Sequence, residues 1–502
     1  MMKKILLAGT LLLSIQSYAQ LPEDAIRYSW LTPNGTARST AIGGALTALG
    51  GDLQSMFVNP AGLGQFKTSE LVLTPGFSFS NNKANYLGGS DKDAKSGMAF
   101  GTTGFVFGSP RWQFGIGITK TANFNSNIAY NGVNNQSSYS EKYLEELINN
   151  NVTDPNEAAQ NYPNGPSLAI NTFLVEPDLD GSGNATGYYS LATPNTGVKQ
   201  EQVINTSGGI TSFGFSVSRN LSDKFFFGGS FTLDYITYKR DQTFRESDNT
   251  TNPANDFNYF SAQETLETTG QGITLRLGIL YKPIETIRLG LAFHTPTFYN
   301  MKDVYTTTVR TDLEGYAGPG ELFQSSTDIV GGPGQYNYTY NNPLRVMAGF
   351  AYVLREDKDV TRQRGFLSLD VEYLNYGSNK FQDESFSSSG TYFSDLNATI
   401  KDIYKNALNV RVGGELKFNI WMVRAGFGYF ANPYKDPELK GNRMNLSGGF
   451  GYRNKGIFAD LTYVHQLVQD GFYPYRLENG FYAPVTTKSG IGNVVATVGF
   501  KF

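Results

Sequence analysis

Three arginines set the first question about chemistry. Arg411, Arg424 and Arg443 recur on the polar face of three successive alternating segments. A guanidinium presents a planar fork of donors that fits a carboxylate. An arginine row inside a polar lumen therefore either neutralises carboxylates of the chain itself or binds the acidic end of an amphipathic ligand. The same inward face carries Arg276, Arg288, Arg345, Asp370, Glu372 and Glu415, so mutual neutralisation is the default expectation. The only histidines, His294 and His465, allow a bis-histidine site in principle, with two plain rim histidines as the simpler reading. Asp178-Leu179-Asp180-Gly181-Ser182-Gly183-Asn184 spaces oxygen ligands like the first half of a calcium loop, but Tyr189 stands where a closing Glu belongs, which favours an ordinary turn. The absence of cysteine excludes disulfides, thiolate metal sites and a lipidated N-terminal Cys. No nucleophile elbow, phosphate loop or metalloprotease helix appears, so neither enzyme chemistry nor a cofactor is expected.

The elements that must carry these residues are strands. Leu408, Val410, Val412, Leu416 and Phe418 alternate with Asn409, Arg411, Gly413, Glu415 and Lys417. Trp421–Tyr429, Arg443–Arg453 and Val494–Phe502 repeat the pattern. One apolar face and one small or polar face is the signature of a membrane barrel strand. The composition agrees: 36 Phe, 31 Tyr and 56 Gly in 502 residues, only 17% charged, with a mean hydropathy of −0.32. A net charge of −3 leaves no footprint for nucleic acid.

Fourteen such segments are predicted: 68–80, 97–108, 111–123, 206–219, 224–240, 261–282, 286–300, 342–355, 364–376, 407–418, 421–431, 442–453, 456–467 and 490–502. Tight turns such as Ser109-Pro110 and Asn419-Ile420 alternate with long polar excursions at 124–205, 301–341 and 377–406. A soluble sandwich has no reason to alternate in this way, whereas a membrane barrel with short turns on one rim does. Trp112, Phe225, Tyr281, Trp421 and Tyr452 flank the short turns as an expected aromatic girdle. The fold class expected is all-β, a 14-stranded antiparallel transmembrane β-barrel over 68–502.

Two regions fall outside the alternation. Residues 1–19 read as a signal peptide: Lys3 and Lys4, an apolar run from Ile5 to Ile15, then Ser17-Tyr18-Ala19, with cleavage expected near Ala19. The run is too short to cross a bilayer as a helix. Residues 20–67 are rich in Gly and Ala and too apolar for easy disorder, which suits a compact plug inside the lumen. In the longest excursion, Glu141–Ile148 is expected to be an amphipathic helix capped by Ser140. With Leu168, Ile170, Phe173, Leu174 and Val175 it either forms a greasy landing site or packs the loop on itself.

Gly35-Thr36-Ala37-Arg38, Gly43-Gly44-Ala45, Asp52 and Asn59-Pro60-Ala61-Gly62-Leu63 resemble the N-terminal hatch of the long-chain fatty-acid and toluene transporter family. The resemblance extends over much of the chain, through segments such as 288–296 and 407–453, and the terminal Phe502 resembles the aromatic ending of outer-membrane barrels. It implies a hatch inside a 14-stranded barrel, with Asn59, Pro60, Ala61 and Gly62 as the hatch anchor. It further implies passive transport of hydrophobic small molecules or fatty acids across the outer membrane of a two-membraned bacterium, in contact with outer-membrane lipid. Other barrels of this kind serve as partners in protein secretion, which would make secreted protein the cargo, and some relatives are labelled haem receptors. Arg411, Arg424 and Arg443 remain the lumen candidates.

Overall fold

The computed structural model describes residues 20–32, 34–250, 252–354, 364–384, 392–437, 439–478 and 480–502. The expected signal segment lies outside them. Fourteen antiparallel strands close into one barrel. They are β1 (Glu70–Leu73 and Pro75–Tyr86), β2 (Gly89–Phe100 and Thr103–Phe107), β3 (Trp112–Asn123 and Ser126–Asn134), β4 (Val198–Asn220), β5 (Phe225–Asp248), β6 (Tyr259–Ile284), β7 (Ile287–His294 and Phe298–Asp312), β8 (Gly334–Asn341 and Arg345–Leu354), β9 (Gly365–Asn375 and Lys380–Asp383), β10 (Asn406–Phe418), β11 (Trp421–Phe430), β12 (Arg443–Asn454), β13 (Ile457–Phe472) and β14 (Val485–Lys501). Each pairs with the next, and β14 returns to β1 through Glu70↔Lys501 and Gly76↔Val495. Closure removes the unpaired edges that an open sheet would carry into lipid.

The alternation places side chains as expected. On β10, Leu408, Val412, Leu416 and Phe418 are exposed on the outer wall while Glu415 is buried in the lumen. Every strand contributes to this outer apolar band, a surface suited to acyl chains. Trp421 packs at a tilt against Tyr452, with ring centres 5.0 Å apart, and Phe225 against Tyr281 at 5.5 Å, on the rim of the short turns.

The long excursions are shorter than the sequence suggested. Residues 126–134 and 198–205 are strand, as are 301–312 and 334–341. β4, β5 and β6 reach 23, 24 and 26 residues. Above the apolar band neither strand face needs lipid, so the alternation fades (Thr306-Thr307-Thr308) although the ladder continues. On this outer side, residues 135–197 form a cap. It contains α4 (Glu141–Asn149), as expected, but the Ser140 hydroxyl bonds Ser138 and Ser190 and does not cap the helix. Tyr143, Leu147, Leu168, Leu174 and Val175 pack with Phe244 and Phe260 into a core of their own, the loop-packing alternative.

Residues 20–67 lie inside the barrel. Pro22 opens α1 (Pro22–Ser29), where the Asp24 carboxylate accepts from the Leu21 amide. Thr36 caps α2 (Ala37–Ala41) by accepting from Ser39 N. Ser55–Val58 is one helical turn (α3), and Asn59 starts a 3-10 helix over Pro60–Gln65.

Candidate functional site: the lumen, its hatch and two chambers

Asn59 is fully buried at the foot of the hatch. Its Nδ2 donates to Thr47 O at 2.7 Å within the hatch and to Ile279 O of β6 at 3.0 Å. Its Oδ1 accepts from Ala61 N at 3.2 Å. One side chain thus ties two hatch segments to each other and to the wall. Ser218 of β4 donates to Ala61 O, and His294 of β7 bonds Val58 O at 2.8 Å. Further round, Thr47 donates twice to the Asp370 carboxylate, and Arg288 donates to Leu49 O. Thr462 donates to Ala37 O, and Ser447 to Ala41 O.

Backbone can come this close because the wall presents glycine at the hatch level. A Cβ on Gly228 would stand 2.3 Å from Pro60 C, on Gly278 1.9 Å from Asn59 Oδ1, and on Gly290 2.0 Å from Thr47 O. On the other side of the barrel, Gly413 meets Ile42 O at 2.2 Å and Gly426 meets Gly43 N at 2.1 Å in the same sense. Lumen-facing glycine at one level of several strands is the sequence signal of this docking surface.

The three candidate arginines occupy different settings. Arg424 is fully buried between Glu415 (2.6 Å) and Asp460 (2.5 Å), and Arg38 of the hatch approaches the same Glu415 at 3.7 Å. Arg411 lies 3.3 Å from Glu372, which Arg345 also contacts at 2.9 Å. Arg443 stacks on the Trp30 ring at 3.2 Å and has no carboxylate within 4 Å among the described residues.

Two chambers adjoin this layer. The upper one, about 570 Å³, lies between α1 and the outer mouth; Ile26, Trp30, Phe124, Ile128, Tyr238 and Phe472 line it together with charged groups that include Arg27, Arg240, Glu264, Asp470 and Arg443. A lower chamber of about 100 Å³ lies under Trp30. A larger groove of about 660 Å³ at Phe105, Phe114, Phe215 and Leu277 faces outward on the apolar band and is no part of the lumen.

The upper chamber meets a break in the wall. β2 and β3 pair only over Thr103–Phe107 and Phe114–Ile118. Beyond this stretch, Gly101-Thr102 and Phe124-Asn125 interrupt the two strands, and no ladder joins them among the described residues. Hatch groups fill the gap. Thr32 N donates to Thr121 O (2.8 Å), Asn34 Nδ2 to Phe100 O (2.7 Å) and Lys120 O (2.9 Å), and Thr102 N to Gly35 O (3.1 Å). Higher up, Asn82 donates to Asn127 O and Lys95 to Thr206 O across the same seam.

The other sequence candidates resolve simply. His294 points into the lumen, while His465 is on the outer face beside Tyr463. The two lie on opposite sides of the wall, which rules out a shared bis-histidine haem site. Asp180 closes a hairpin turn between Val175–Leu179 and Ala185–Ser190, its Oδ1 accepting from Ser182 N and Asn184 N. Among the described residues no cluster of three or more His, Asp or Glu is placed to hold a metal ion.

No family model and no curated protein matches the sequence. Solved structures do match. A Pseudomonas aeruginosa FadL homologue aligns with 94% of this chain and 100% of its own at a TM-score of 0.56 and 15% identity. The P. putida toluene transporter TodX aligns with 94% and 99% at 0.54 and 13%. The chain has the FadL-like fold. The Ralstonia pickettii toluene transporter TbuX covers the same span at a TM-score of 0.50 and 15% identity. At these identities the shared property is the architecture: fourteen strands with the N-terminal segment packed inside.

Proposed function

We propose that this chain is an outer-membrane channel for passive diffusion of hydrophobic compounds: long-chain fatty acids, aromatic hydrocarbons or similar lipophiles. The observation that carries the reading is the contact between the aromatic upper chamber and the wall break closed by hatch residues 32–35. A lipophile loses about 0.8 kcal/mol for each buried methylene returned to water. A path from chamber to lipid through the wall avoids that loss, whereas an open aqueous pore does not. Opening it requires release of the four hydrogen bonds at Thr32, Asn34 and Gly35. At roughly 1 kcal/mol each, this is a barrier thermal motion crosses readily. The driving force is the concentration gradient, and no covalent step is involved. The relation in fold to toluene transporters supports the reading. Asn59, Pro60, Ala61 and Gly62 act as the hatch anchor. Arg443, which borders both chambers, meets the polar end of an amphipathic cargo, while Arg411 braces the wall through Glu372 and Arg424 through Glu415 and Asp460. The signal segment directs export and is removed near Ala19.

The test is native mass spectrometry of the barrel purified in mild detergent after exposure to a mixture of alkanes, fatty acids and alkylbenzenes. Retention of apolar ligands, reduced by Ile26→Asp or Tyr238→Asp in the chamber, is expected. A barrel that retains none, or retains them equally in both variants, would overturn the reading.

A further inference from the structure

The lower chamber has an unbalanced lining. Four arginines (Arg276, Arg345, Arg411 and Arg443) border it together with His294, and Glu372 is the only carboxylate among its lining residues. Glu372 is already engaged by Arg345 and Arg411, and by Asn409 at 3.3 Å. Arg276 is 6% exposed; its Nη1 donates to Thr232 Oγ1 at 2.5 Å. Neither Arg276 nor Arg443 has a carboxylate within 4 Å among the described residues, and the Nε of each has no partner. The nearest other acids, Asp234 for Arg276 and Asp470 for Arg443, stand beyond contact: Asp234 accepts from Thr274 through one oxygen while its other has no hydrogen-bond partner, and Asp470 accepts from Tyr434 and the Gly471 amide. His294 adds no negative charge, because a carbonyl only accepts, so its Nε2 must donate to Val58 O.

A guanidinium cannot shed its proton within the ordinary pH range. An uncompensated buried charge costs several kcal/mol. A chamber of about 100 Å³ has room for a small ion and a water or two, since a water takes ~30 Å³ in the liquid.

We propose that the lower chamber is a small-anion site, in which chloride, or a single carboxylate or phosphate group, pairs with Arg276 and Arg443, which no carboxylate among the described residues contacts. The site adjoins the upper chamber, with which it shares Trp30, Thr32 and Arg443, but of the two chambers Arg276 borders only the lower, so its loss distinguishes this site from whatever the upper chamber carries. The anion binds under α1 and against Trp30, so it strengthens the seating of the hatch helix.

Trp30 provides the readout. The chain has three tryptophans, and the other two, Trp112 and Trp421, are exposed on the outer wall. Replacing both by Phe leaves Trp30 as the sole indole. Iodide titration at constant ionic strength is expected to quench its fluorescence along a saturable curve, with caesium ineffective. Acetate is expected to compete if a free ion is the natural occupant. Decanoate competing at far lower concentration than acetate, with decanol inert, would assign the site to an acidic headgroup; both results support an anion site. Arg276→Gln and Arg443→Gln should abolish the saturable component, and Arg276→Lys should restore it. Heat-modifiable gel migration confirms that each variant is folded. Linear quenching in the parent, equal quenching by caesium, or a saturable component unchanged in both Gln variants would overturn the proposal.

Discussion

Replacing Asn59 should unseat the hatch without opening the barrel. Its side chain makes three hydrogen bonds, to Thr47 O, Ile279 O and Ala61 N, in a fully buried position. Asn59→Ala removes all three bonds: the Thr47 carbonyl and the Ala61 amide lose this partner, while Ile279 O keeps its ladder bond. Each unsatisfied buried group costs about 1–3 kcal/mol, partly recovered if water enters the gap. A net loss of about 3 kcal/mol in hatch seating is a reasonable sum. At 1.4 kcal/mol per tenfold it raises the unseated population about 100-fold. Asn59→Asp should be worse: Oδ1 still accepts from Ala61, but the second oxygen meets two carbonyls where a donor stood. The assay is amide hydrogen exchange of residues 35–66 in detergent, with strand amides as an internal reference. Expected is exchange about two orders of magnitude faster in the hatch and unchanged in β10–β14. Hatch amides that exchange at the parent rate in both variants would refute the anchoring argument, because no other hatch side chain joins these three groups.

Three further outcomes follow from the same contacts. Gly290→Val would place a Cβ 2.0 Å from Thr47 O; the barrel should keep its heat-modifiable migration while the hatch becomes accessible to protease, and a protected hatch would count against close docking. Arg424→Ala leaves Asp460 without its ion pair and Glu415 with only the longer contact to Arg38 at 3.7 Å, and should lower barrel stability by about 3 kcal/mol, seen as a lower temperature for loss of the folded band and partly rescued by adding Asp460→Asn. Glu246 lies on β5 above the apolar band, where burial pushes its carboxyl up to about 7 against the hydrogen bonds from Ser138, Tyr139 N and Gln200. A raised carboxyl pKa favours the protonated folded form, so this contribution to cap stability is full below about 4.5 and lost as the pH rises through 7. Proteolysis of residues 135–197 should therefore be faster at pH 8 than at pH 5, and Glu246→Gln should flatten the dependence.

All fourteen strands were legible because lipid imposes a rule on the chain. Residues such as Leu408, Val412 and Leu416 must face apolar surroundings, and their neighbours must not. Outside the apolar band the rule lapses, which is why 126–134 and 301–312 read as loop. The hatch was legible as a lapse of alternation, but its docking was not: the bonds from Asn34 Nδ2 to Phe100 O and Lys120 O join one side chain to backbone carbonyls 66 and 86 residues away, with no local signature. The arginines show the limit most clearly. Arg424 and Arg443 have the same sequence pattern, yet Arg424 faces Glu415 across the β10–β11 ladder, while Arg443 faces Phe430 and Val468. Pairing register, which the pattern of a single strand does not contain, decides which arginine is neutralised. The loop after β13 adds a contact no pattern predicted, in which Arg476 donates to Glu23 of α1 at 2.7 Å.

The central claim is that lipophiles leave through the wall break when hatch residues 32–35 let go. The absence of native cysteine permits a direct test. Asn34→Cys with Thr121→Cys places one thiol on the hatch and one on β3 at the seam. Transfer of a fluorescent long-chain fatty acid into proteoliposome membranes should stop when the pair is oxidised and return on reduction, with each single variant remaining active. Undiminished transfer through the oxidised, cross-linked barrel would contradict the account.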